Sequence, residues 1–493
     1  MGRRSGIFYS ALVLTGVNLI LRFGGTSFQV YLSGRIGAAG MGLLQLVLSV
    51  SGLAITASMA GIRTATMYLA AEELGKKRPE NVTWVLSGCF AYSLSVSLVI
   101  SAGLYHFAPL IASRWVGAMQ TTQAIRSFSV FLPVICLGGC MVGYFTAANR
   151  IGTLAVVEIA EQVLSLGFTL LALELWGAED PARACLCVVL GSGLGACLTL
   201  FSLILLRIRE KPPKGKRICV ARRLWDTAVP LALADDLKAG ISTTENLMVP
   251  KRLALCRTAT NPLASFGTVC GMVFPVLMFP AAIIFALAEL LIPELARCNA
   301  AGHRERIRYL AGKSLRITML YGCVFCGLMF LWARPLCDRL YGSREAGHFL
   351  RLYAPMIPML YCDIITDAMT KGLGQQKACV RYNIFTSSLD VAFLYILLPR
   401  YGMYGYLLSF FVTHLINFLL SLRRLLGITK KKLPLHIALG ALGCLGFGIW
   451  VVRTLPSPAS QSVAFLTVLF CGLYLLRIIT KEDIRWITEL VKR

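Results

Sequence analysis

The sequence predicts an all-α, polytopic membrane protein of about 14 transmembrane helices, built as two pseudo-symmetric six-helix lobes plus two C-terminal helices. Three observations predict it. The 493 residues are 57% hydrophobic and only 15% charged, with a mean hydropathy of +0.70, whereas a soluble chain needs about 25% charged residues. Apolar stretches about 20 residues long recur from end to end, each matching a hydrocarbon core roughly 30 Å thick. The basic residues behind the formal net charge of +25 lie mostly between those stretches.

In order, helices are expected near 7–32, 41–69, 84–108, 126–148, 151–175 and 185–206. The series continues near 227–250, 267–292, 314–333, 350–370, 382–398 and 402–421, and ends near 435–452 and 461–478. The opening Met1-Gly2-Arg3-Arg4 resembles a signal-peptide start. The apolar run then crosses Arg22 without a small-residue cleavage site, so an uncleaved first span is expected. Gly6 stands where a myristoylation signal needs Ser or Thr. The seventh and tenth spans are the weakest, because each carries acidic residues.

Lys211-Pro212-Pro213-Lys214-Gly215-Lys216-Arg217 is too basic and proline-rich to span a membrane. It divides the chain into an N-terminal lobe at 1–206, a linker at 207–226 and a second lobe at 227–421. Two further helices and a basic tail fill 422–493. The fourth span begins around Phe131-Leu132-Pro133 and ends at Asn149-Arg150; the tenth holds Pro355 and Pro358 and ends at Lys371-Gly372-Leu373-Gly374. That faint correspondence suggests two bundles of like orientation.

Loop charge sets the expected topology. With a cytoplasmic N-terminus, Lys76-Lys77-Arg78, Arg207 to Arg223, His303-Arg304-Glu305-Arg306, Arg423-Arg424, Lys430-Lys431-Lys432 and the tail all fall inside. The tally is about 33 Lys and Arg inside against about 12 outside, which places both termini in the cytoplasm of a cell whose cytoplasmic membrane holds the chain. Lys251-Arg252 and Arg257 are the exception, falling outside after the seventh span. The same distribution argues against nucleic acid as a partner. The seventeen cysteines sit mostly singly in apolar segments and read as small hydrophobes rather than metal ligands.

Polar groups inside the spans point to transport. Thr15, Asn18, Arg22, Thr26 and Gln29 recur every three or four residues and share one helix face, which lipid solvates poorly. Span two carries Ser49, Thr56, Arg63 and Thr66 at the same spacing. A cavity holding Arg22, with Arg63, Arg35 and Lys238, would attract an anion such as a diphosphate, although Arg63 is also placed to snorkel toward headgroups. Asn18, Thr26, Gln29 and Thr56 are the candidate polar lining. Asp235, Lys238, Ser242 and Glu245 share a face of span seven, either as an internal ion pair or as an ion-coupling group with Asp236. Asp363 and Asp367 lie one turn apart on span ten, Glu158, Glu161 and Gln162 open span five, and Asp390 lies near Asn383 and Ser387 on span eleven. These acids are candidate Na+ or H+ ligands. No cofactor is expected: Gly191-x-Gly193-x-Gly195 lies inside an apolar span, and no Walker or HExxH pattern occurs.

Three groups of residues carry a family resemblance. They are Tyr31-Leu32-Ser33-Gly34-Arg35-Ile36-Gly37 with Gly40-Met41-Gly42, Ala281-Ala282-Ile283-Ile284 through Leu291-Ile292-Pro293-Glu294-Leu295, and Thr370-Lys371-Gly372-Leu373-Gly374-Gln375. Over roughly residues 5–480 the chain resembles the polysaccharide-biosynthesis and stage V sporulation protein B branch of the multidrug/oligosaccharidyl-lipid/polysaccharide flippase superfamily. The resemblance implies a two-lobed, MATE-like flippase, functional as a monomer, with a central cavity that opens alternately to either face. It implies a polyprenyl-diphosphate-linked saccharide as substrate, a lipid II-like peptidoglycan precursor or related glycan, with Arg22, Arg35 and Arg63 as matching diphosphate ligands. Spans thirteen and fourteen would hold the lipid tail, and cell-wall synthesis or sporulation proteins would be partners. The alternatives are a cation-coupled multidrug exporter, a membrane acyl- or glycosyltransferase, and a scaffold in a cell-wall or sporulation complex.

Overall fold

The computed structural model describes residues 2–59, 61–76, 78–176, 180–210, 221–257, 260–430, 435–452, 455, 457–476 and 478. Residues 211–220 of the expected 207–226 linker, Lys77, Lys431, Lys432, the tail at 479–493 and the side chains of Thr15 and Asn18 lie outside the described residues; the linker's two ends belong to α6 and α7. Among the described residues every regular element is helical. The first seven helices are α1 (Gly2–Met59), α2 (Ile62–Gly75), α3 (Pro79–Leu110), α4 (Thr122–Ala147), α5 (Ile151–Trp176), α6 (Pro181–Arg209) and α7 (Ala221–Leu253). Then come α8 (Pro262–Gly267), α9 (Phe274–Met278), α10 (Ala281–Ala300), α11 (Arg304–Tyr341), α12 (Arg344–Tyr353) and α13 (Ile357–Gly372). The last four are α14 (Gln376–Tyr401), α15 (Met403–Thr429), α16 (Leu435–Val452) and α17 (Pro458–Leu475).

Each expected span has a helical counterpart. Among the described residues, nine helices are long and apolar enough to cross a membrane by themselves, or ten when a bent pair counts as one. The difference from about 14 has physical causes. The first two spans run together in α1, interrupted only at Gly37, whose φ of 66° and ψ of −177° suit glycine. Acidic and basic residues lower the hydropathy of α7, and α13 has only 16 residues. A turn at Pro280 bends the chain by 63° between α9 and α10, since proline cannot donate the next helical hydrogen bond. Helix starts follow local chemistry. Asp180, Asn261, Ser343 and Ser457 each cap a first turn with a side-chain oxygen, and proline opens α3, α6, α8 and α17.

The chain forms two compact units. The first comprises Met1–Gly271 with Ser387–Tyr406, and the second Met272–Thr386 with Leu407–Arg493. In the first, Ile62, Leu69, Val85, Cys89, Cys140, Leu224 and Ala228 make a buried cluster of α2, α3, α4 and α7. Backbones of α1 and α8 touch: a Cβ on Gly267 would overlap the Ala38 carbonyl, and one on Gly42 the Leu263 carbonyl. Gly267→Leu is therefore expected to destabilise the protein by about 3 kcal/mol through overpacking, seen as a fall in thermal midpoint in detergent. In the second unit, the Phe465 ring fills the space left by Gly327 and Gly448. Tyr361, fully buried, donates to the Leu277 carbonyl at 3.0 Å. Leu98, Val99, Val163, Leu171 and Phe201 are exposed, as expected where lipid is the solvent. Most described cysteines are buried, and none of them is disulfide-bonded.

A charged clasp ties α7 to the end of α2. Arg223 donates to Glu73 at 3.0 Å and Glu72 at 2.6 Å, and Asn81 donates to the second oxygen of Glu73 at 2.9 Å. The charge exception after span seven also finds partners. Lys251 donates to the Arg114 carbonyl. Arg252 stacks on the Tyr395 ring at 3.5 Å and donates to the Tyr395 carbonyl at 2.7 Å. Those two cations are held by protein carbonyls and a ring, so their place against the charge rule needs no ligand.

Candidate functional site

In the first unit the structure gathers part of the expected polar set along one turn of α5. Gln162 donates to the Leu21 carbonyl at 2.6 Å, which brings the turn of α1 holding Arg22 against α5. Arg22 is half-buried and already partnered. Arg63, on α2, is exposed and lies close enough to Glu158 for charge attraction. Glu158 and Gln162 are one turn apart, so Arg63 and the turn of α1 that carries Arg22 lie against the same stretch of α5. Glu161 accepts from Thr199 of α6 at 2.8 Å. The result sets one guanidinium, two carboxylates and an amide along α5, with Arg22 on the adjoining turn of α1.

Other expected members lie elsewhere. Arg35 is exposed beside its own helix neighbour Tyr31, 5.6 Å from the ring centroid. It lies 13 residues beyond Arg22, about 20 Å along a helix axis. Thr26 and Gln29 are half-buried. Thr56 donates to the Gly52 carbonyl at 2.9 Å, so its own helix satisfies it. Asn18 belongs with the side chains outside the described residues. Lys238 and Asp235 are both exposed, and among the described residues no ion pair links them. Asp236 is half-buried, with one carboxylate oxygen buried and unbonded.

The acids separate into two sites. In the first unit Glu245 of α7 meets Asp390 of α14 at hydrogen-bonding distance. Cys270 lies beside Glu245 and 3.7 Å from the Tyr406 hydroxyl. The same turn of α7 is fixed to α1, because Asn246 donates to the Ser49 hydroxyl at 3.0 Å and Thr243 to the Ser49 carbonyl at 3.2 Å. Two carboxylates in contact repel unless a proton or metal cation sits between them. That is chemistry for holding a small cation.

In the second unit Asp363 is buried and takes both oxygens to the Asn417 amide at 3.2 Å each. His414 lies 3.9 Å from Asp363, and its ring stacks near Phe410 at 4.2 Å. Asp367 turns away to Lys371 at 2.6 Å. The two acids of α13 are therefore separate groups. Asn417→Leu should cost about 2–3 kcal/mol, since it strips a buried carboxylate of its donor; thermal unfolding measures it. Sequence inspection passed over Asn417. Its signal was present as Ser409, Thr413, Asn417 and Ser421, four residues apart on α15 and all buried. The pairing of Glu245 with Asp390 had no such signal, because the partners are 145 residues apart. Gly191 and Gly193 pack against Thr169 and Phe131 within the helices, in keeping with a packing role.

Comparison with known proteins then fixes the lineage. The MatE family pattern matches residues 15–171 and 253–396. Stage V sporulation protein B of Bacillus subtilis (strain 168) is 21% identical over 469 residues, covering 92% of this chain and 89% of that protein. Sporulation protein YkvU of the same strain is 23% identical over 275 residues, covering 54% of this chain and 61% of that protein. An inward-facing multidrug resistance MATE family transporter of the MOP superfamily superposes with a TM-score of 0.69 at 14% identity, covering 86% of this chain and 100% of that one. The lipid II flippase MurJ in its inward closed conformation gives 0.63 at 13% identity, covering 96% and 98%. The resemblance to the stage V sporulation protein B branch therefore holds. The chain belongs to the MatE family, and its fold is that of the membrane transporters it superposes on.

Proposed function

We propose that this chain moves a polyprenyl-diphosphate-linked saccharide, a lipid II-like precursor or related glycan lipid, across the cytoplasmic membrane. The carrying observation is that Arg63 and the turn of α1 bearing Arg22 come to neighbouring residues of α5. Guanidiniums suit a diphosphate because they offer paired donors at fixed geometry and offset its desolvation. The headgroup enters from the cytoplasmic leaflet while the polyprenyl tail stays in lipid, and alternating exposure releases it outside. No covalent step is required. The loop-charge rule places both termini in the cytoplasm. Na+ or H+ held between Glu245 and Asp390 couples the return step.

Liposomes loaded with a labelled lipid-linked saccharide test this. Headgroups should become protected without chemical conversion, and Arg22→Ala with Arg63→Ala should slow transfer about a hundredfold, the value of two lost charge-assisted bonds. Undiminished transfer by the double variant would remove both arginines from the mechanism. Cation-coupled drug export draws on the same turn, since Glu158 offers a cationic drug a carboxylate. Uptake of a cationic dye that fails in Glu158→Gln, with no saccharide transfer, would establish that reading instead.

A further inference from the structure

We propose that a cavity at the end of α15 is a resident binding site for the phosphate of an anionic phospholipid. The cavity measures about 570 Å³ and is lined by Tyr382, Leu420, Arg423, Arg424, Gly427 and Ile428, all within the second unit. That is large enough for a headgroup and its glycerol. Two of the six lining residues are arginines and none is acidic. Arg424 is held in place: its Nε donates to the Gln375 side-chain oxygen at 3.1 Å. Arg423 is exposed and makes no hydrogen bond, ion pair or ring contact among the described residues. A cavity with two cations and, among the described residues, no acid in its lining is suited to an anion.

The surroundings select a lipid over a soluble anion. Leu419, Arg423 and Gly427 follow at four-residue spacing, so they lie on neighbouring turns of one helix side. Leu419 and Ile428 are exposed apolar side chains on a spanning helix. A phosphate at Arg423 and Arg424 would leave its acyl chains against Leu419 in the bilayer. A zwitterionic choline headgroup would bring its own cation into a doubly basic cavity and lose that advantage. The site is distinct from the polar groups along α5 and stands whether or not the transported substrate is a saccharide lipid.

Gly427 supplies a clean test, because a Cβ added there meets nothing within 4 Å. Gly427→Phe starts from an open Cβ position, should project its ring into the cavity, and should raise helix propensity. Delipidated full-length protein is supplied with phosphatidylglycerol or phosphatidylcholine of identical chains, and retained lipid is counted by native mass spectrometry. Phosphatidylglycerol should be preferred, with retention falling about fivefold for each of Arg423→Ala and Arg424→Ala, the value of one interfacial cation. Gly427→Phe should lose the preference while its lipid-free thermal midpoint stays at or above that of the parent. Equal retention of the two lipids, or a preference that survives all three substitutions, overturns the proposal. Displacement of phosphatidylglycerol by millimolar inorganic phosphate would assign the cavity to a soluble anion and also overturn it.

Discussion

Exchange of Glu245 for Gln, or of Asp390 for Asn, is expected to abolish the response of transport to a cation gradient while leaving headgroup binding in place. The two carboxylates meet across α7 and α14, and a neutral amide on either side removes the need for a bound cation. One charge moved through 100 mV is worth about 2.3 kcal/mol, roughly fifty-fold in accumulation. Uptake into liposomes under an imposed potential, with and without Na+ or a pH step, reads that loss directly. A second readout separates coupling from damage. At alkaline pH and without Na+, where the parent pair loses its bridging proton, either amide variant should melt higher than the parent, because a like-charge contact has been relieved. Gradient dependence that persists in both variants would move coupling to Asp363, which has its own buried partner in Asn417.

Arg223→Ala is expected to give the largest loss of stability among charge changes at the surface. Glu73 has only 4% of its side chain accessible, and Arg223 with Asn81 holds it. Removing one partner of such a buried pair leaves an uncompensated carboxylate and costs about 3 kcal/mol. Glu73→Gln in the same background should recover most of the loss, since the stranded charge is gone. Thermal unfolding of the two single variants and the double variant closes the cycle. Additive losses would mean that Arg223 acts through packing of α7 alone.

Several helices were legible because their signal is local. Twenty apolar residues between charged loops specify a span whatever surrounds them, which is why α3 to α6 appear close to where they were expected, whereas α11 and α15 run past their expected ends by about two turns. Where spans carried charge, as in α7, hydropathy alone was a weak guide. The polar stripe on α1 was visible as a period, but its members have different fates. The turn of α1 holding Arg22 comes to α5, whereas Arg35 lies near Tyr31 and Thr56 bonds to its own helix. Periodicity reports which face a residue occupies, and it carries no information on which neighbouring helix covers that face.

The sequence by itself determined that this protein lives in a membrane, is helical throughout its described length, and carries charge where lipid resists it. Those properties follow from composition and period, which act over one or two turns. Only the tertiary structure decided which charges work together. Glu245 found Asp390 rather than Lys238, Asp363 found Asn417 rather than Asp367, and Lys251 and Arg252 found backbone carbonyls. The physical reason is that pairing energies fall off within a few ångströms, and distances of that order between residues far apart in the chain are set by helix packing alone.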